Sequence, residues 1–127
     1  MEMLSNQRGL LACVDYAHNY LSLNESFKYM KNTYPNGRLI VVIGAAGGKA
    51  ESRRKDIGEA LAKYADVAIL TSEDNFFEDP HQIDEEIKSH IDNPDVEVHI
   101  NVDRAKAIQD AFNMARPGDV MFMAAKG

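Results

Sequence analysis

The feature that most restricts how this chain can fold is Leu39-Ile40-Val41-Val42-Ile43, five apolar residues in succession with no polar alternation. A strand of this kind has no face to give to water, so both of its sides must be covered. Helices packed on the two faces of a parallel sheet provide that cover; an antiparallel sheet with one wet face does not. The run is therefore expected to be a central strand.

The rest of the chain supplies the helices and the other strands. Leu10 to Tyr16 is a strand, and Leu23, Phe27, Met30 and Tyr34 recur at helical spacing until Pro35-Asn36-Gly37 ends the helix. Ile57, Ala60, Leu61 and Tyr64 mark a second helix, and Val67-Ala68-Ile69-Leu70 is a strand that ends at Thr71-Ser72. A third helix sets Ile83, Ile87 and Ile91 on one face and Asp84, Glu85, Glu86 and Lys88 on the other, and Asn93-Pro94 stops it. Val96, Val98 and Ile100 alternate with Glu97, His99 and Asn101, which predicts a strand with one exposed face, near a sheet edge. Ala107, Ile108, Ala111, Phe112 and Ala115 form the last helix, closed by Pro117-Gly118, and Asp119 to Ala125 is the last strand. The order βαβαβαβαβ predicts an α/β fold: a Rossmann-like, mostly parallel sheet with helices on both faces and right-handed crossovers.

Composition narrows the function. A chain of 127 residues suits a single domain, residues 1–127, with one core. A formal net charge of −6, with Arg53-Arg54-Lys55 as one short basic cluster, argues against nucleic acid as a partner. No stretch has the ~20 apolar residues that cross a bilayer, and Met1 to Arg8 does not resemble a secretory signal. Cys13 is the one cysteine, so no intrachain disulfide is available; a cytoplasmic location and a buried thiol are expected.

The informative polar residues fall where strands end: Asp15 to Asn19, Gly44 to Lys49, Thr71 to Asn75, and Lys126. In a parallel sheet these loops share one rim, where α/β folds bind ligands. Helix caps and turns use the same residue types, so placement alone leaves both readings open. Gly44-Ala45-Ala46-Gly47-Gly48-Lys49-Ala50 lacks the spacing of a P-loop and a hydroxyl after its lysine, and reads as a tight strand-to-helix turn. Arg53 and Arg54 are expected on a solvated helix face. Glu73, Asp74, Glu78 and Asp79 read as solvated charge, whereas Phe76-Phe77 among them has no periodic reason to be there. His18, His81, His90 and His99 have no zinc-ligand spacing, and no metal site is expected.

Asp15-Tyr16-Ala17-His18, taken in order with Leu39 to Gly47, Ala65-Asp66-Val67, Glu78-Asp79-Pro80, Asp103-Arg104-Ala105 and Gly118-Asp119-Val120, resembles the C-terminal domain of the Mur ligases, nearest to the tripeptide-forming branch. The family's ATP-dependent enzymes of peptidoglycan and cell-wall synthesis activate a UDP-N-acetylmuramoyl-peptide carboxylate as an acyl phosphate, which the amino group of an amino acid attacks. The resemblance implies that Asp15 bonds the ribose of ATP, that His18 and Asn19 lie beside the nucleotide, and that Glu73, Asp74, Asn75 and Phe76 form the loop met by the amino acid. Phe76 stands where diaminopimelate-adding members carry an arginine able to pair with a carboxylate, which disfavours diaminopimelate. ATP and Mg would be held mainly by a central domain that carries the P-loop. N-terminal and central domains would be the partners of this one, which ends at Ala125-Lys126-Gly127 as an excised or truncated piece, inactive alone. Asp-x-Ala-His-Asn also resembles cyanophycin and folylpolyglutamate synthetases. A non-catalytic nucleotide-binding or interaction module is the alternative of another class.

Overall fold

The computed structural model describes residues 2–5, 11–15, 20–45, 51–72 and 79–124, with side chains over 23–45, 53–72 and 79–123. The elements are β1 (Glu2–Ser5), β2 (Leu11–Asp15), α1 (Tyr20–Thr33), β3 (Leu39–Ile43), α2 (Glu51–Tyr64), β4 (Val67–Leu70), α3 (Pro80–Ser89), β5 (Glu97–Ile100), α4 (Arg104–Met114) and β6 (Val120–Ala124). They build one sheet in the order β1-β2-β6-β3-β4-β5. Every pairing is parallel except β1 with β2. The five expected strands and four helices are present in the expected order. β1 is an addition: the N-terminal residues, given no strand by periodicity, pair antiparallel to β2 with Glu2 opposite Val14 and Ser5 opposite Leu11.

β3 is central, and all five of its residues are buried. Its alternate side chains feed two cores. Leu39, Val41 and Ile43 join Phe122 and the apolar faces of α1, α2 and α3, whereas Ile40 and Val42 join Ile69, Met121 and the small residues Ala107, Ala111 and Ala115 beside α4. Phe27 of α1 meets Phe122 edge to face, with ring centroids 5.0 Å apart. Burying side chains of this size contributes about 1.5–3 kcal/mol each, which is what holds the helices to the sheet. β5 alternates exposed and half-buried residues at the sheet edge, as its sequence predicts.

Two expectations fail, one on α3 and one on α2. Asp84, assigned to the polar face, is fully buried, and Arg54, assigned to a solvated face, is 4% exposed. Asp84 follows Pro80 by four positions and precedes Ile87 by three, so it lies on the stripe that faces the core. Arg54 is buried because its Nη1 donates to Glu86 Oε2 at 2.7 Å and thereby ties α2 to α3.

The amino ends of the strands carry a satisfied polar network. Arg38 donates to Asp119 through Nε at 3.1 Å and Nη2 at 2.8 Å, while the backbone N–H groups of Arg38 and Arg116 donate to the same carboxylate. Burial alone would push the Asp119 carboxyl up, but these hydrogen bonds together outweigh it and hold the carboxyl below its ordinary value. Beside it, Asp66 Oδ2 accepts from Lys31 Nζ and from the Leu39 N–H, each at 2.8 Å.

Candidate functional site

The opposite, carboxyl-end rim is built differently. Backbone rungs hold it in register: Thr71 N–H donates to Ile43 O at 3.0 Å, and Asn101 N–H to Leu70 O at 2.9 Å. Gly44 is required at the start of its loop because a Cβ there would overlap the carbonyl oxygen of Thr71 and lie 3.1 Å from its carbonyl carbon. β3 and β4 thus leave the sheet in direct backbone contact; of the turn expected from Gly44 to Ala50, residues 46–50 lie outside the described residues. Beyond β5, Ser72 Oγ donates to Val102 O at 2.6 Å and joins two of the rim segments. Asp103 caps α4 by accepting from the Lys106 N–H, and Asp79 caps α3 by accepting from the His81 N–H.

Asp15 is the last residue of β2 and is paired in register with Ala124 of β6. Strand ends Asp15, Ile43, Leu70 and Ala124 therefore lie along one rim, and the loops that follow them leave from it together. The chain steps outward from β3 to β4 to β5, then returns through α4 to place β6 on the other side of β3. The strand order thus reverses at the β6–β3 boundary, with β2 beside it; open α/β sheets as a class take ligands in a crevice outside the carboxyl ends of their strands at such a point. His18 and Asn19 lie outside the described residues. So do Glu73, Asp74, Asn75, Phe76 and Phe77, Gly47 to Lys49, and Lys126; of Asp15 the backbone is described.

Buried polar atoms without a hydrogen-bond partner sit toward this same rim: Asn24 Oδ1, Thr71 Oγ1 and both carboxylate oxygens of Asp84. Thr71 directly follows β4, and Asn24 and Asp84 are each the fifth residue of a helix that begins at the rim. Most buried polar groups are paired, so each of these atoms is a place where packing leaves an acceptor unsatisfied among the described residues. Burial pushes the Asp84 carboxyl up to about 8, and the neighbouring charge of Glu85 adds to the rise. At the edge, His99 bonds Glu97 at 2.6 Å and holds that exposed carboxyl below its usual value. Among the described residues, no group of three or more His, Cys, Asp or Glu could hold a metal ion, and no helix is long and apolar enough to cross a membrane.

An α/β domain of this strand order defines a fold class rather than an activity, and the match to known proteins is what narrows it. The chain belongs to the Mur ligase family: residues 1–127 match the model of its glutamate ligase domain. It is 44% identical over 128 residues to a UDP-N-acetylmuramoyl-L-alanyl-D-glutamate–L-lysine ligase of Enterococcus faecalis, a match covering all of this chain and 25% of the relative. A UDP-N-acetylmuramyl-tripeptide synthetase of Lactobacillus acidophilus is 45% identical over 117 residues, covering 92% of this chain and 22% of the relative. Among solved structures, a UDP-N-acetylmuramoyl-L-alanyl-D-glutamate–2,6-diaminopimelate ligase superposes with a TM-score of 0.89 at 32% identity, over all of this chain and 26% of that one. The chain thus spans about a quarter of the length of these relatives. A folylpolyglutamate synthase from Thermotoga maritima, at TM-score 0.70 and 21% identity, shares the fold.

Proposed function

We propose that the domain serves an ATP-dependent ligase that adds lysine to the UDP-N-acetylmuramoyl-dipeptide precursor of peptidoglycan in the cytoplasm. The observation that carries this reading is the 44% identity, across the whole chain, to a relative named for joining L-lysine. Phe76 supports it from the other direction, because a phenyl ring cannot pair with the second carboxylate of diaminopimelate as an arginine would.

In this reading Asp15, at the end of β2 beside the crevice, accepts hydrogen bonds from the ribose hydroxyls of ATP, with His18 and Asn19 next to the nucleotide. Glu73, Asp74, Asn75 and Phe76 line the approach of the amino acid, where the acids favour a cationic side chain over an anionic one. When bound, ATP supplies the phosphoryl group that activates the precursor carboxylate; its Mg belongs mainly to the three quarters of the relatives beyond the match. What this domain contributes is binding and orientation, worth several kcal/mol of the barrier when the amine is held against the activated carbonyl.

The test is ATP-dependent phosphate release by the full-length protein with UDP-N-acetylmuramoyl-alanyl-glutamate and a panel of amino acids. Lysine is expected to give the highest kcat/KM; a preference for diaminopimelate overturns the choice of amine, and no turnover with any amine overturns the precursor. In the same enzyme Asp15→Ala is expected to raise the KM for ATP about 10- to 100-fold, the loss of charge-assisted hydrogen bonds. An unchanged nucleotide affinity would remove Asp15 from the site.

A further inference from the structure

Asp84 has a place in the fold that the proposed reaction does not use. It lies on the core stripe of α3 between Ile83, 2% exposed, and Ile87, 0% exposed, and is itself 0% exposed. Neither carboxylate oxygen has a hydrogen-bond partner among the described residues. An apolar residue of similar size would fill the position without leaving an acceptor unsatisfied.

Among the described residues, the charges on the elements packed against it do not compensate. On α3, Glu85 opposes ionisation, Glu86 is committed to Arg54, and His81 and Lys88 are exposed. On α2, Arg54 faces Glu86, while Glu59 and Lys63 lie further along, beside Ser89 to Asp92 at the far end of α3. β4 carries no titratable side chain, and on β5 Glu97 and His99 pair with each other at the exposed edge. A neutral carboxyl can be kept in such a seat; a carboxylate pays the full cost of desolvation.

We propose that Asp84 is a proton-operated latch for the amino-terminal half of α3. With its O–H intact, Pro80 to Asp84 stays seated over β4 and β5. When the O–H bond breaks and its proton passes to water, these turns lift so that the carboxylate is hydrated. The inference rests on burial, orphaned oxygens and position, and is independent of the ligase reading.

For a carboxyl whose pKa is near the ordinary 3.8 when lifted and about 8 when seated, seating weakens as pH rises between those values and then levels off. The experiment is backbone amide hydrogen exchange of the protein, expressed as protection factors corrected for the intrinsic pH dependence. Protection over Ile83 to Ile87 is expected to fall by up to about tenfold per pH unit from about pH 5 to about pH 8 and to flatten above. Amides of α4 should not share that slope, and Asp84→Asn should abolish it. A pH-independent α3, a slope shared with α4, or the same slope in Asp84→Asn overturns the latch. Should the Asn variant fail to fold, the 13C carboxyl titration of Asp84 in the unmodified protein is set beside the exchange data: a raised midpoint that coincides with the flattening of the Ile83 to Ile87 slope supports the proposal, and a midpoint near 4, or a raised one with pH-independent protection, overturns it.

Discussion

Asp119→Ala is expected to lower the unfolding free energy of the domain by about 3 kcal/mol, the cost of leaving a half-buried guanidinium and two backbone N–H groups without their shared acceptor. Arg38 makes two side-chain hydrogen bonds to this carboxylate and its own N–H a third, and the Arg116 N–H adds a fourth. The Asp119 side chain is 7% exposed, so water cannot easily replace it. The measurement is the denaturant midpoint at constant m-value. The sign of the pH dependence follows from the direction of the shift. The carboxyl lies below its ordinary value of 3.8 in the folded state, so its stabilisation is complete above that pH and is lost as pH falls through the folded value. The Ala variant should therefore lose less stability than the parent on acidification; an unchanged midpoint at neutral pH would mean that the network contributes little.

Gly44→Ala is expected to cost about 2–3 kcal/mol, and the origin is steric. The added methyl group would meet backbone, the carbonyl of Thr71 on one side and the carbonyl carbon of Ser72 at 3.3 Å on the other, so β3 and β4 must part where the rim begins. Gly118 provides the contrast. It has φ of +94° and open space where a Cβ would go, so Gly118→Ala should cost only about 1 kcal/mol of backbone strain. Equal midpoints for the two variants would remove the claim that close approach, rather than backbone conformation, fixes Gly44.

The parts of the fold that were legible are those where one pattern has one physical solution. Leu39 to Ile43 was expected as a doubly covered central strand, and the alternation of Val96 to Asn101 as a strand with one exposed face near an edge, and both are so placed. Glu2 to Ser5 offered neither signal, because a four-residue strand on an antiparallel edge is defined by its partner rather than by its own side chains. Asp84 was misplaced for a related reason. Charge was given priority over position, although its offsets from Pro80 and Ile87 put it on the buried stripe. At the rim, the sequence located the loops but not the atoms between them: the unpartnered hydroxyl of Thr71 depends on packing that no periodicity encodes. The family motif adds an expectation for Asp15, whose backbone is the end of β2; His18 and Asn19 lie outside the described residues.

β6, the last of the described strands in sequence order, pairs with β2 on one side and β3 on the other. During synthesis this sheet cannot be completed from one edge to the other: β3, β4 and β5 can assemble in order, as can the β1–β2 pair, but each piece waits with an open inner edge until Val120 to Ala124 arrives. Unpaired edges of that kind are templates for pairing with another chain. A nascent chain halted before Val120 would thus be two half-sheets exposing their most apolar strands, and cooperative stability should appear only with the final strand in place.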